Sequence, residues 1–174
     1  MAALRPPSFS PANLAVESLR AFAPDPNAPE LEIIDEDISD EDVVRLYRSC
    51  DALAFPYRGE GFGLPMLEAM ACGLPVIATA GGAADDFLDE TVAYRIRSER
   101  RELRDAQRGE ALAAPGWWLE PNEDALVAAM QHVYAHPDEA RARGTAGAQR
   151  ARDHWRWAHA AAIAADRLRA LRES

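Results

Sequence analysis

Two glutamates stand eight positions apart around the most chemically informative stretch of the sequence. Glu60 precedes a glycine-rich turn, and Glu68 lies within the helix predicted to follow it. Gly61 and Gly63 allow a ligand to approach the backbone closely because neither carries a Cβ. The free N–H groups at the start of a helix, together with its partial positive charge, form an anion site. The stretch therefore predicts a cradle for a diphosphate between two carboxylates.

The two carboxylates are suited to binding hydroxyl groups. We expect Glu60 to accept hydrogen bonds from hydroxyls close to the anion site and Glu68, one turn deeper, to accept both hydroxyls of a ribose diol. Each also has a simpler interpretation: Glu68 as an acid stabilised by the helix dipole, and Glu60 as an exposed loop acid. An anion cradle with two such acceptors describes a sugar nucleotide better than a plain nucleotide.

The elements that position these residues are predicted to form a parallel sheet. Segments 52–55, 75–79 and 91–96 are apolar without alternation, which is typical of fully buried parallel strands. A helix predicted over 65–71 ends at Gly73, where a left-handed residue is favoured. With right-handed crossovers, the result is an α/β fold: a Rossmann-like doubly wound sheet, followed by a helical C-terminal tail. Ligands of such sheets bind at the carboxyl ends of the strands.

The remaining segments complete this organisation. We predict a short strand over 31–34 and a helix opening at 39–42, with a buried face made of Val43, Val44, Leu46 and Tyr47. The charged segment 98–109 is predicted to be a solvated loop or surface helix. Further helices are expected near 122, after 137, and over about 153–171.

Aromatic and N-terminal segments lead to further expectations. Trp117 and Trp118 are expected to anchor a loop more readily than to stack on a base or sugar, and Trp155 and Trp157 to pack the last helix against the sheet. Residues 1–30 are assigned to a residual N-terminal helix, over 10–23, and a Pro-rich loop. Residues 31–174 are assigned to a nucleotide-sugar-binding domain.

Composition limits the possible partners. The 174 residues carry a formal net charge of −10, and all 19 basic residues are arginine. An acidic chain repels nucleic acid and anionic lipid. No apolar run is long enough to span a bilayer and no signal-peptide core is recognised, so we expect a cytoplasmic protein. Cys50 and Cys72 fit no metal-ligand spacing, and no metal or cofactor is expected.

The order of residues around the two glutamates resembles a known family signature. The stretch EGFGLPMLEAMACGLPVIAT, residues 60–79, is similar to the motif of retaining GT-B glycosyltransferases of family 4. The resemblance covers about residues 40–170 and is strongest over 51–82. It implies the C-terminal, donor-binding half of a GT-B fold that transfers a sugar with retention of configuration.

The resemblance also implies roles for individual residues. It implies that Glu60 lies beside the donor sugar as the catalytic residue and that Glu68 binds the ribose hydroxyls. It implies, less directly, that the loop of Gly81 and Gly82 lines the nucleotide pocket. The amides implied to contact the sugar and diphosphate are those of Gly61, Phe62, Gly63 and Leu64.

The sequence departs from the family pattern on its N-terminal side. The family's arginine and lysine pair, which neutralises the departing diphosphate, has no counterpart because the chain contains no lysine. The acceptor-binding domain also has no counterpart, and the acceptor is unidentified. We therefore expect a chain truncated on that side, a subunit that is completed by a separate polypeptide or by self-association, or an enzyme that works alone with arginines. The alternative is a non-catalytic binding or interaction module.

Overall fold

The computed structural model describes residues 30, 32–34, 36–102 and 116–172. Residues 40–174 form one compact unit and residues 1–39 form another. The predicted helix over 10–23 lies outside the described residues, and the predicted division near residue 30 stays a prediction. Residues 32–34 form no strand, contrary to expectation. A short apolar run does not make a strand by itself, because its backbone groups need a neighbouring strand to pair with.

A parallel sheet forms the centre of the second unit. Its strands are β1 (Leu53–Phe55), β2 (Val76–Thr79) and β3 (Ala93–Ile96), in the order β1-β2-β3. Both pairings are parallel, with Leu53 opposite Val76 and Val76 opposite Ala93. Every residue of β2 is buried, as its unbroken apolar sequence predicts. The predicted α/β fold with a parallel sheet is confirmed.

Helices cover both faces of this sheet. On one face, α2 (Leu64–Ala71) packs with α4 (Pro137–His154), and Val76 and Ala78 of β2 point into that cluster. On the other face, Ile77 contributes to a second cluster with residues of α3 (Glu123–Ala135). Alternate residues of one strand thus serve two cores, which is why the strand is apolar throughout.

The margin of the sheet is more exposed than predicted. β1 is an end strand, with Ala54 exposed and its neighbours half-buried, so the prediction of a fully buried strand was wrong. Helix α1 (Asp40–Ser49) has no buried residue, and Val44 and Leu46 are each 38% exposed. The predicted buried face of α1 was therefore wrong for Val44 and Leu46, whereas Val43 is half-buried and Tyr47 packs half-buried against the core. Apolar patterning indicates which side of an element can be covered, but packing decides whether it is.

A second, two-stranded sheet begins in the segment 98–109, which was predicted to be a solvated loop or surface helix. β4 (Ser98–Glu102) pairs antiparallel with β5 (Trp117–Pro121), and we call these two strands the β4–β5 arm. The prediction of a loop or surface helix over 98–102 was wrong. The apolar residues of this sheet lie in β5, far along the chain, and the charged sequence of β4 does not indicate the pairing. Residues 103–115 lie outside the described residues.

The C-terminal helices differ from prediction in their bounds. α4 continues to His154, and α5 begins at Trp157 and runs to Arg172. Trp155 packs on the core with its ring 5.5 Å from that of Phe87, as predicted. Trp157 is 89% exposed, so its predicted packing against the sheet was wrong. No helix in the described ranges has the length and apolar character needed to cross a bilayer.

Candidate functional site

The glycine-rich turn after β1 leads directly into α2. Gly63 is the N-cap of α2 and has a left-handed backbone, with φ of 98°. A Cβ on this residue would lie 2.6 Å from Met66 Cε and 3.2 Å from the ring of Phe87. Both the conformation and the lack of space therefore favour glycine here. Leu64, the first residue of α2, has an exposed side chain.

The loop amides converge on the side chain of Glu60. Its Oε1 accepts hydrogen bonds from the N–H groups of Gly61 (2.9 Å), Phe62 (3.4 Å) and Gly63 (3.2 Å). Three successive amides pointing at one oxygen form an anion-binding nest. The nest lies where the sequence predicts an anion cradle, and the protein's own carboxylate occupies it.

The ring of Phe62 is used for packing. It lies 5.6 Å from the ring of Phe87 and 6.1 Å from that of Trp155. These contacts connect the loop to the residue that follows α4. The ring of Phe62 therefore packs against two aromatic rings, although the residue is 38% exposed.

Glu68 lies on the exposed side of α2, one turn beyond the nest. Its Oε2 accepts a hydrogen bond from the hydroxyl of Tyr47 in α1 (3.4 Å). Partial burial and the negative charge of Glu68 raise the pKa of Tyr47. The hydroxyl therefore remains a donor at neutral pH and orients one carboxylate oxygen. The sequence places Tyr47 on a neighbouring helix but does not indicate this contact.

The loop of Gly81 and Gly82 follows β2 and is held by charged residues. Gly81 has a φ of 99°, and its N–H lies 3.0–3.1 Å from the two carboxylate oxygens of Asp85. Asp85 also pairs with Arg95 of β3. Asp85 and Arg95 did not emerge from sequence reasoning, since no motif marks them.

Tyr57 connects the two glycine loops through a hydrogen bond and a ring contact. Thr79, the last residue of β2, donates its hydroxyl to the carbonyl oxygen of Tyr57 (2.8 Å). The phenol ring of Tyr57 lies against Gly82, where a Cβ would come within 2.5 Å of Tyr57 Oη. Tyr57 thus explains why Gly82 is a glycine. Sequence reasoning missed Tyr57, although its position at the carboxyl end of β1 was a usable signal.

The β4–β5 arm contacts both loops. The N–H of Leu119 donates to the carbonyl oxygen of Arg58 (2.8 Å), just before Glu60. The hydroxyl of Ser98 donates to the carbonyl oxygen of Ala80 (2.6 Å), just before Gly81. The arm therefore bonds to the backbone just before each of the two loops.

Side chains strengthen the attachment of the arm. The Arg58 guanidinium donates to Glu120 at 2.7 and 3.1 Å, and Trp118 Nε1 donates to Glu120 at 2.9 Å. The hydrogen bonds from Arg58 and Trp118 lower the pKa of Glu120. Trp118 is half-buried and its bond to Glu120 lies within its own strand, so the predicted anchoring by the two tryptophans stays a prediction. Trp117 is 46% exposed, with the Arg100 guanidinium 4.5 Å from its ring centre.

Within the described ranges, no three histidine, cysteine, aspartate or glutamate side chains gather into a group that could hold a metal ion. The polar groups at the two loops are instead backbone amides, carboxylates and hydroxyls. These groups bind anions and polyols without a metal. The expectation that no metal or cofactor takes part stays a prediction.

These features define a doubly wound α/β domain with glycine loops at the carboxyl ends of its parallel strands. The model of the family described as "Glycosyl transferases group 1" matches residues 35–150. The chain belongs to this family.

Similar proteins agree with this assignment. The GDP-mannose-dependent alpha-(1-6)-phosphatidylinositol monomannoside mannosyltransferase of Mycolicibacterium smegmatis is 30% identical over 167 residues, covering 91% of this chain and 38% of that protein. The D-inositol 3-phosphate glycosyltransferase of Mycobacterium sp. (strain KMS) is 54% identical over 44 residues, or 25% of this chain and 10% of that protein.

A solved structure supports the fold. Sucrose-phosphate synthase from Thermosynechococcus elongatus matches with a TM-score of 0.66 and 23% sequence identity, over 94% of this chain and 34% of that one. The chain thus spans little more than a third of the length of the proteins that match it over most of its residues.

Proposed function

We propose that this chain binds a nucleoside-diphosphate sugar and forms the donor half of a retaining, family 4-like glycosyltransferase. The observation that carries the proposal is the convergence of three loop amides on one point at the start of α2, with Glu68 one turn further along. The relative from Mycolicibacterium smegmatis is named as GDP-mannose-dependent, which supports a guanine nucleotide as the first donor to test. The cytoplasmic location expected above is part of the proposal.

Each part of the site has a role in this proposal. Oxygens of the donor take the amides once the Glu60 side chain turns away from them, and Glu60 then lies beside the transferred sugar. Glu68, oriented by Tyr47, accepts the ribose hydroxyls. The loop of Gly81 and Gly82 forms a wall of the nucleotide pocket. The amides assigned to the donor are those of Gly61, Phe62, Gly63 and Leu64.

The leaving diphosphate needs stabilisation, and preorganised amides supply it. Arg58 lies just before the first glycine loop and pairs with Glu120. Arg95 lies in β3 and pairs with Asp85. Amides fixed in a tight loop need little reorientation when negative charge develops on the leaving group. Removing one such donor typically lowers the rate by about 10²–10³-fold. The acceptor half and any additional cation belong to a separate part of the complete enzyme in this proposal.

The ribose assignment is tested with Glu68→Gln. We expect the affinity for GDP-mannose, measured by isothermal titration calorimetry, to fall about tenfold or more, since hydrogen bonds to a charged group contribute about 1.5–3 kcal/mol. Asp166→Asn serves as the control, because Asp166 pairs with Arg169 on its own helix α5. Equal affinities of the Glu68→Gln and wild-type proteins would contradict the assignment.

The alternative of a non-catalytic binding module makes the same binding prediction but a different kinetic one. Incubation of the chain with radiolabelled GDP-mannose, alone and with candidate acceptor-domain polypeptides, separates the two. Sugar transfer or release under either condition supports the enzyme. Tight binding without turnover under both conditions supports the module.

A further inference from the structure

One buried hydroxyl group lacks the partner that its position demands. Tyr57 is 7% exposed, and within the part of the chain that the structure describes its Oη has no hydrogen-bond partner. A buried donor left unpaired costs about 1–3 kcal/mol. Native proteins keep such a group rarely, and each instance calls for an explanation.

The hydroxyl lies between the two glycine loops. A Cβ on Gly82 would be 2.5 Å from Tyr57 Oη and 2.7 Å from its Cε2, so the phenol is covered there by glycine backbone. The amide of Ala84 lies near the hydroxyl oxygen and lowers the pKa of Tyr57, but an amide N–H can only donate, so the hydroxyl proton still has no acceptor among the described residues. Ala84 in turn adjoins the other loop, because its Cβ is 3.5 Å from the Cβ position of Gly63.

The charges around the phenol keep it a donor. Burial, followed by the negative charge of Asp85, raises the pKa of Tyr57, while Arg95 opposes this effect. The nearby carboxylates already have other partners: Asp85 accepts from Gly81 and Arg95, and Glu60 accepts from its own loop. The Tyr57 hydroxyl therefore keeps its proton at neutral pH, and no carboxylate of the site accepts a hydrogen bond from it.

We propose that the Tyr57 hydroxyl is a ligand-binding group that donates a hydrogen bond to a phosphate oxygen of the bound nucleoside diphosphate. This inference rests on the function proposed above and adds a residue to the same site. In this proposal the segment of Gly81 and Gly82 shifts to expose the hydroxyl, which requires the hydrogen bond from the Gly81 amide to Asp85 to break. Two consecutive glycines permit such a shift at low steric cost because neither carries a Cβ.

The proposal predicts opposite effects of one substitution on stability and on binding. Tyr57→Phe removes the unpaired hydroxyl, so the Tm of the free protein is expected to stay the same or rise. The same substitution removes a donor to a charged oxygen, so the affinity for GDP is expected to fall about tenfold. Thermal unfolding by circular dichroism and calorimetric titration with GDP, repeated with UDP, measure the two effects on the full chain.

Tyr94→Phe is the matched control. Tyr94 is 8% exposed, lies in the core cluster on the other face of the sheet, and donates its hydroxyl to Glu139 (3.4 Å). Removing this paired hydroxyl is expected to lower the Tm and to leave nucleotide affinity unchanged. The two tyrosine variants thus give opposite patterns if the proposal is right.

Three results would overturn the inference. Wild-type protein that binds neither GDP nor UDP removes the proposed function, and this inference with it. Wild-type protein that binds a nucleotide while Tyr57→Phe binds it equally well leaves the proposed function standing and removes the role of Tyr57. A Tm that falls in Tyr57→Phe as it does in Tyr94→Phe means that the hydroxyl is paired in the free protein.

Discussion

The carboxylate of Glu60 occupies the point on which the loop amides converge. A ligand anion that uses the same amides has to displace it, and two negative groups at one point repel each other. The side chain that holds the loop in shape therefore also weakens binding of an anion there. If Glu60 then contacts the transferred sugar, it weakens binding of the donor's phosphate groups and strengthens binding of its sugar.

This arrangement predicts that Glu60→Ala strengthens the binding of GDP, which lacks the sugar. We expect the affinity to rise about tenfold, with Glu60→Gln intermediate because its amide oxygen still accepts hydrogen bonds but carries no charge. Competition between GDP and a fluorescent analogue measures the change. A loss of GDP affinity in Glu60→Ala would argue that the carboxylate supports the nest without competing for it.

At the scale of elements, the turn between the 3-10 helix (Ala83–Asp86) and β3 is held by a charged side chain. Asp89 accepts hydrogen bonds from Thr91 and pairs with Arg150 of α4 at 2.8 Å. The hydrogen bond from Thr91, together with Arg150, lowers the pKa of Asp89 to about 2. One carboxylate therefore connects the entry of β3 to a helix that covers the sheet.

This connection predicts a pH dependence of stability. An aspartate has a pKa of about 3.9 when unfolded, so a folded value near 2 stabilises the protein above about pH 4. The contribution is lost as the pH falls from about 4 to about 2. We expect the Tm of the wild type to drop more steeply between pH 5 and pH 2 than that of Asp89→Asn. Parallel curves would show that Asp89 does not contribute; Asp166→Asn is the control.

At the scale of the whole molecule, close backbone contact joins α4 to the turn before β2. A Cβ on Gly144 would lie 2.1 Å from the carbonyl oxygen of Gly73. On Gly147, one turn further, a Cβ would meet the side chain of Met70 at 3.0 Å. A side chain can move aside where a backbone carbonyl cannot, so the two glycines are not equivalent.

This difference predicts unequal costs of two otherwise similar substitutions. Gly144→Ala is expected to lower the free energy of unfolding by about 3 kcal/mol or more, and Gly147→Ala by about 1 kcal/mol, because only the first forces α4 away from the sheet. Urea unfolding followed by circular dichroism measures both. Equal costs would mean that α4 shifts freely over the turn.

Sequence alone was enough to predict the parallel strands, the glycine turn into α2 and membership of a glycosyltransferase family. These features are local: β2 is apolar at every position because it is buried on both faces, and Gly63 and Gly73 stand where the backbone is left-handed. The residues around Glu60 and Glu68 are contiguous, so their motif is readable without a structure. For the same reason the candidate loop residues were predicted as one group.

Which groups meet across the chain depends instead on the folded arrangement. The β4–β5 arm joins Arg58 to Glu120, 62 positions apart, and no periodicity in a charged segment indicates that pairing. The unpaired hydroxyl of Tyr57 and the exposure of Trp157 likewise depend on what lies opposite each side chain. Local pattern specifies what a segment can form, because backbone preferences and the alternation of side chains act over a few residues. Burial and hydrogen-bond pairing depend on neighbours that only the folded chain brings into contact.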